Sequence, residues 1–327
     1  MEGRLPTVSM MVRGRDKHAP WTVLARLSTS SILRKYVGRP FLTLNARVWS
    51  LLAPSFAKFR LAWWYGDFLH TLVRLHADRT QNHGTFFFRN RPQLALIRRL
   101  VDQKPKGSTL RISVLASSNG SEVYSILWTI RSARPDLKVI MHAVDISNEV
   151  VQIAREGVYL LRVCALTKTT VFDRATEEEI RAMFDREGDQ ARIKSWIKEG
   201  IVWQVWDAGD PALVRLLGPQ DIVVANNFLC HMDPASAEKC LRNIASLVNP
   251  GGYLFVSGID LDVRTKVALD SGWTPVRELL EEIHDGDPCM RRDWPWKYWG
   301  LQPLNKTKAE WQTRYAAVFR IANPQRY

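Results

Sequence analysis

Between residues 110 and 145, two short apolar runs flank a segment with helical periodicity. The first run, Ile112 to Ala116, is rich in β-forming residues and is followed by a small-residue break at Ser117 to Gly120. The second run covers Val139 to Val144 and ends on Asp145. Between the break and the second run, apolar residues recur every three or four positions, at Val123, Ile126, Leu127 and Ile130. Short bounded runs are typical of buried strands and the wider spacing of one helix face, so the stretch predicts a βαβ unit.

Strands and helices are predicted to alternate further along the chain. The predicted strands cover Ile201 to Trp206, Ile222 to Ala225, Tyr253 to Ser257 and Ala316 to Ile321. The predicted helices cover 147–156, 234–248 and 279–283, and the charged residues 157–200 are predicted to be largely helical. This alternation indicates an α/β fold with a doubly wound, mostly parallel sheet that is covered on both faces. Ligands of such sheets bind at the carboxyl ends of the strands, where Ser117, Asp145, Asp207 and Asn227 fall.

The first 80 residues have a different pattern. Residues 1–20 are polar and basic and are predicted to form a flexible arm. Residues 21–80 show helical apolar spacing with few strand signals, which predicts a small all-helical N-terminal subdomain. Residues 81–327 are predicted to form the α/β domain, in which residues 264–306 are rich in tryptophan.

Composition narrows the classes of function. The chain has no apolar run long enough to span a membrane, and its start lacks the apolar core of a signal peptide. Its four cysteines contain no C-x-x-C pair, so we expect a reducing, cytoplasmic location without a metal cluster. The net charge of +13 fits nucleic acid, an acidic partner or simply a basic surface. Because the basic residues are spread out and no nucleic-acid recognition motif is present, nucleic-acid binding is not expected. The oligomeric state is left open.

The turn after the first predicted strand indicates the class of ligand. It contains neither G-x-G-x-x-G nor a Walker A lysine, so it lacks the usual means of holding a pyrophosphate. Asp145 follows Gly120 by 25 residues, close to the spacing of roughly 20 found for the acid that binds ribose. A nucleoside ligand without phosphates, such as S-adenosylmethionine, fits this pattern. An ordinary βαβ unit in which Asp145 caps a loop fits it too.

Four stretches together resemble the CheR family, the S-adenosylmethionine-dependent methyltransferases that esterify glutamates of chemotaxis receptors. They are HGTFFFRNRP, LRISVLASSNGSEVYSI, VDISNEVVQIAREGVY, and DIVVANNFLCHMD through NPGGYLFVSG, and they cover roughly residues 83–258 in order. The resemblance implies a class I methyltransferase-like fold, S-adenosylmethionine as the cofactor, and a protein glutamate carboxylate as the methyl acceptor.

The resemblance also implies roles for individual residues. Arg89 lies beside the cofactor in the family's T-x-F-F-R string and is implicated in catalysis. Asp145 matches the ribose acid, and Asp207 matches a position near the adenine. The other implied cofactor-binding residues are Thr85, Ala116, Ser117, Glu122 and Asn227.

Departures from the family pattern leave the acceptor open. Asn226 stands where the family has arginine, and His231 stands where it has an active-site tyrosine. A carboxylate acceptor is already ionised near neutral pH and needs only placement and a cation, which Arg89 supplies. A hydroxyl or amine acceptor must lose a proton, and His231 is a suitable general base for that. The alternatives are therefore a small-molecule O- or N-methyltransferase that uses His231, or a non-catalytic module that only binds the cofactor.

The tryptophan-rich segment allows two interpretations. Trp294, Trp296 and Trp299 either anchor the C-terminal region on the sheet, or form a lid or an apolar pocket for a flat acceptor. Pro295 and the charged neighbours of these tryptophans argue against a regular buried helix, and the sequence does not decide between the two.

Overall fold

The computed structural model describes residues 39–51, 60–161 and 170–322. The chain divides into two units, residues 1–77 and 78–327. In the first unit the described residues form two helices, α1 (Arg39–Leu51) and α2 (Arg60–His76). The predicted basic arm and residues 21–38 and 52–59 of the predicted helical subdomain lie outside the described residues. Within the described ranges, no helix has both the length and the apolar character needed to span a bilayer.

The second unit is built on a seven-stranded sheet and a three-stranded sheet. In chain order the strands are β1 (Thr109–Leu115), β2 (Lys138–Asp145), β3 (Val158–Leu160), β4 (Phe184–Glu187), β5 (Gln190–Ile193), β6 (Ile201–Val205), β7 (Gln220–Asn226), β8 (Val248–Ser257), β9 (Thr274–Pro275) and β10 (Val318–Arg320). The large sheet has the order β6-β2-β1-β7-β8-β10-β9. Its first five strands pair in parallel, and β10 pairs antiparallel with β8 and with β9. The predicted doubly wound, mostly parallel α/β sheet is confirmed.

Helices follow most strands of the second unit. They are α3 (Arg91–Asp102), α4 (Ser121–Arg131), α5 (Asn148–Glu156), α6 (Glu177–Met183), α7 (Ser195–Lys198), α8 (Ala212–Leu217), α9 (Pro234–Ala245), α10 (Leu261–Asp270), α11 (Leu280–Asp285), α12 (Pro288–Asp293) and α13 (Trp311–Tyr315). Helix α3 begins at Arg91, because the Asn90 side chain accepts from the Gln93 amide and Pro92 occupies the first turn.

The two faces of the large sheet bury separate apolar cores. Ile112 and Val114 of β1 pack in one core with side chains of α3 and α4. Leu115 and the alternate residues of β7 and β8 pack in the other core with α9 and α10. Alternation of inward side chains with a period of two explains this division, and it accounts for the nearly continuous apolar runs that a doubly covered sheet requires.

The prediction that residues 157–200 are largely helical is wrong. Helix α6 ends at Met183, and β3, β5 and β4 form an antiparallel sheet in that order. Gly188 has a φ of +59° in the two-residue connection between β4 and β5. A glycine that adopts positive φ between two short runs favours a hairpin, and the buried Phe184 and Ile193 face each other across it.

The strand order determines where a ligand can bind. Strand β1 lies between β2 and β7, so the chain leaves β1 in one direction along the sheet and later returns to its other side. The loops after β1 and β7 therefore separate at their carboxyl ends and leave a crevice between them.

Candidate active site

A cavity of about 300 Å³ opens at the carboxyl ends of β1, β2, β6 and β7. Each of these four strands contributes residues at or just beyond its end, and residues 81–85 and Arg89 form a further wall. The lining residues are Gln81, Asn82, His83, Gly84, Thr85, Arg89, Ala116, Ser117, Ser118, Glu122, Asp145, Ile146, Trp206, Asp207, Ala208, Asn226, Asn227, Phe228, His231 and Met232.

The turn between β1 and α4 has an uncommon backbone. Ala116 and Ser118 have φ of +54° and +49°, a region that non-glycine residues seldom adopt. The end of β2 holds this turn, since the Ser117 amide donates to the Val144 carbonyl at 2.9 Å. Such local strain persists where the surrounding structure fixes it, and it is typical of functional sites.

Asp145 is buried and its carboxylate is fixed by backbone amides. Oδ2 accepts a hydrogen bond from the Ser118 amide at 2.8 Å, and Oδ1 accepts one from the Ser147 amide at 3.0 Å. An ionised carboxylate offers about four lone-pair sites. Two sites are used by the protein, so this cavity-lining carboxylate retains capacity for ligand hydroxyls.

A chain of polar side chains crosses from α4 to β8 behind the end of β7. Asn226 Nδ2 donates to Glu122 Oε1 at 2.8 Å, and Ser257 Oγ donates to Asn226 Oδ1 at 2.8 Å. Burial raises the pKa of Glu122, while the Asn226 hydrogen bond and the charge of Arg89 oppose that shift. These two hydrogen bonds fix the carboxyl group of Glu122 at the cavity wall.

Arg89 is held by a carboxylate from a distant part of the chain. Its Nε donates to Asp287 Oδ2 at 2.8 Å, and Arg174 Nη2 donates to Asp287 Oδ1 at 2.8 Å. Arg174 Nη1 also donates to the Arg89 carbonyl at 2.5 Å. Burial by itself would raise the pKa of Asp287, but the two guanidinium groups outweigh it and lower that pKa. Among these three side chains, two guanidinium groups share one carboxylate.

His231 lies in the 3₁₀ turn Leu229–His231, just after β7. Its Nδ1 lies 2.7 Å from the Tyr298 hydroxyl, and the two rings meet edge to face. Arg79 holds the same turn by donating to the Cys230 and Met232 carbonyls at 2.9 and 2.7 Å. The pKa of His231 is lowered first by burial and then by the positive charges of Arg79 and Arg89, with a smaller contribution from His83.

Residues 83–261, more than half of the chain, match the family model described as "CheR methyltransferase, SAM binding domain". The chain belongs to the CheR methyltransferase family. It is an S-adenosylmethionine-dependent methyltransferase, so the interpretation as a non-catalytic binding module is set aside.

Relatives of this CheR-family enzyme include chemotaxis protein methyltransferases from Vibrio. The protein from Vibrio parahaemolyticus is 30% identical over 223 residues, covering 63% of this chain and 78% of its own. The chemotaxis protein methyltransferase 1 of Vibrio cholerae is 28% identical, with the same coverage. A solved O-methyltransferase family protein from Burkholderia thailandensis covers 72% of this chain and 57% of its own, with 14% identity and a TM-score of 0.36.

The cavity of the CheR-family enzyme suits its cofactor chemically. Within the described part of the chain, Ser117 Oγ and Asn227 Oδ1 are buried and have no hydrogen-bond partner, although both residues line the cavity. Buried polar atoms in native proteins are nearly always satisfied, so these two fit a polar ligand. Ile146 and Trp206 add apolar surface beside Asp145. Carboxylates for ribose hydroxyls, apolar surface for a base and unpaired polar atoms fit S-adenosylmethionine.

The structure brings together nine of the residues singled out from the sequence. The nine that line the cavity are Thr85, Arg89, Ala116, Ser117, Glu122, Asp145, Asp207, Asn227 and His231. Trp294, Trp296 and Trp299 do not line it, and the Trp299 Nε1 donates to Asp293 Oδ2 at 2.7 Å within their own segment. Sequence reasoning missed Asp287, Arg174 and the contact of Tyr298 with His231, because no local pattern links positions so far apart.

Proposed function

We propose that this enzyme transfers the methyl group of S-adenosylmethionine to a carboxylate oxygen of a glutamate side chain in a protein. The observation that carries the proposal is the fixed guanidinium of Arg89 in the cavity wall, where Asp287 is shared with Arg174. A carboxylate that moves from water into the cavity loses its hydration, so it needs a compensating cation and hydrogen-bond donors in a planar arrangement. Arginine provides both. The same positive charge contributes to the lowered pKa of His231, so this wall disfavours another cation and favours an anion.

The chain's own residues would then bind, orient and exclude water. Asp145 accepts the ribose hydroxyls, Asp207 lies on the adenine side, and Glu122, Ser117 and Asn227 contact the methionine part. Thr85 and Ala116 complete the wall. When bound, S-adenosylmethionine would supply an electrophilic methyl group for transfer to the acceptor oxygen. Arg89 aligns the acceptor carboxylate, and alignment with electrostatic support is what this displacement needs. No proton is removed, since the acceptor is already ionised.

The relatives support a protein acceptor. Both Vibrio proteins are described as chemotaxis protein methyltransferases. We also propose that the enzyme is cytoplasmic, because the described cysteines Cys230, Cys240 and Cys289 are free, as in a reducing compartment.

Lability of the product in base tests the acceptor. Purified full-length enzyme is incubated with methyl-labelled S-adenosylmethionine and a cell lysate, and the labelled macromolecules are treated with mild base. A glutamyl methyl ester releases volatile labelled methanol, whereas an ether or an N-methyl group keeps its label. The Arg89→Ala variant is the control for label that does not depend on this wall. Stable label, or label only in small molecules, would refute the proposal.

One observation favours a second candidate function. The lowered pKa of His231 keeps its imidazole neutral near pH 7, which is the form a general base requires. Under this hypothesis His231 deprotonates a hydroxyl or amine of a small molecule. His231→Gln would then abolish turnover on that acceptor, and the rate would fall with the protonation of one group below pH 6.5.

A further inference from the structure

The contact between His231 and Tyr298 bears on which imidazole nitrogen carries the proton. A neutral imidazole has one N–H donor and one acceptor nitrogen, and the partner of Nδ1 decides which is which. The Tyr298 hydroxyl lies 2.7 Å from His231 Nδ1 and 3.4 Å from the Thr80 carbonyl. Hydroxyl donors usually lie 2.5–3.0 Å from their acceptors, so donation of the single hydroxyl proton fits the 2.7 Å contact better than the 3.4 Å one.

The surroundings of Tyr298 support this direction of donation. Its pKa is raised by burial, so the hydroxyl keeps its proton and remains a donor. The guanidinium carbon of Arg79 lies 5.5 Å from the centre of its ring, and this positive charge favours the phenol as a donor. With Nδ1 accepting, the proton of the neutral ring must be on Nε2.

We propose that Tyr298 is a positioning residue that holds His231 as the Nε2–H tautomer, so that His231 donates a hydrogen bond to the acceptor carboxylate instead of removing a proton. The proposal rests on the function proposed above and deepens it. An Nε2–H group cannot act as a base, but together with Arg89 it offers donors for two carboxylate oxygens. The tautomer therefore selects for an acceptor that arrives already ionised.

This assignment gives the tryptophan-rich segment a role. Tyr298 is only 7% exposed, and the Trp299 ring meets it edge to face with 4.7 Å between ring centres. Trp299 is itself tied to Asp293 through its indole N–H. The segment thus acts through the hydroxyl that it presents to His231, while its tryptophans lie outside the cavity lining.

The tautomer can be measured without any acceptor. Full-length protein labelled with ¹⁵N-histidine is examined by long-range ¹H–¹⁵N NMR at pH 7.5, and the His231 signals among the seven histidines are assigned by their loss in His231→Gln. We expect an unprotonated Nδ1 and a protonated Nε2. In Tyr298→Phe, which keeps the ring and loses the hydroxyl, the two tautomers should mix. Tyr253→Phe, at the opposite end of the sheet, should leave the His231 signals unchanged. A wild-type Nδ1–H tautomer would overturn the inference.

Kinetics separates this inference from the proposed function. On the protein fraction that accepts base-labile label, Tyr298→Phe should lower kcat by about three- to ten-fold, the loss expected for one hydrogen bond. The KM for S-adenosylmethionine should stay the same. If an ester forms and kcat is unaffected, the inference fails and the proposed function stands. If no ester forms but the Nε2–H tautomer is observed, the acceptor proposal fails and the structural assignment stands.

Discussion

Replacing Asp145 with alanine should sharply weaken cofactor binding. Its carboxylate already accepts the Ser118 and Ser147 amides, so its two remaining lone-pair sites are the ones available to ribose hydroxyls. A hydrogen bond to a charged group contributes about 1.5–3 kcal/mol. Loss of two such bonds corresponds to about 3 kcal/mol or more, which is at least a roughly 100-fold rise in Kd.

The same substitution also releases the turn after β1. Without Asp145 the Ser118 amide loses its acceptor, and Ser118 is a residue at positive φ whose conformation depends on such contacts. Asp145→Asn divides the two effects, because the amide oxygen still accepts from one backbone N–H while the charge is lost. We expect the asparagine variant to bind the cofactor more tightly than alanine and more weakly than wild type.

Isothermal titration calorimetry with S-adenosylhomocysteine, the product of methyl transfer, measures the affinity directly. Asp185→Ala, on the exposed side of β4, removes the same charge away from the cavity and is the matched control. Thermal melts of each variant check that the fold is retained. If Asp145→Ala binds the product within three-fold of wild type while it remains folded, the assignment of this acid to the ribose is wrong.

Three further substitutions test other parts of the molecule. Arg89→Lys keeps the charge but loses the planar donor group that Asp287 fixes. Single-turnover methyl transfer should therefore slow by about 10- to 100-fold. An unchanged rate would exclude alignment of the acceptor by Arg89. Gly258→Ala would place a Cβ 2.5 Å from the Asn227 Cα at a residue with a φ of +58°. Urea denaturation should therefore show that the free energy of unfolding decreases by about 2 kcal/mol or more, and an unchanged midpoint would contradict this packing. Burial lowers the pKa of His284 to about 4, so between pH 6.5 and 4 only the unfolded state takes up its proton. As the pH is lowered through this range, the free energy of unfolding should therefore decrease by about 1.4 kcal/mol per pH unit. His284→Gln should show a shallower decline, and equal slopes would be inconsistent with a neutral buried imidazole.

The parts of the fold that local pattern determines were predictable. The strand Lys138–Asp145 and the helix that starts at Ser121 follow from apolar runs, small-residue breaks and helical spacing. Because the carboxyl ends of parallel strands lie at one edge of the sheet, the grouping of Asp145 with Asn227 was predictable as well.

Features that depend on contacts distant in sequence were not predictable. The short strands β4 and β5 pair with each other, and β5 also pairs with β3. Because these pairings cannot be seen in the local sequence, the charged residues of the segment suggested a helix. Strand propensity depends strongly on such partners. The hydrogen bond of Arg89 to Asp287 spans 198 positions, and that of His231 to Tyr298 spans 67. Neither pair leaves a mark in the local sequence.

The distribution of charge around the cavity gives the site a direction. Asp145 ends β2 and Asp207 follows β6, on the side that the proposed function assigns to the nucleoside, whereas Arg89 and Arg174 share the carboxylate of Asp287 on the other side. A ligand that presents hydroxyl donors at one end is favoured at the acidic side, and an anion is favoured at the basic side. Because burial strengthens both preferences, the arrangement proposed to orient the cofactor would also favour an acceptor that carries negative charge.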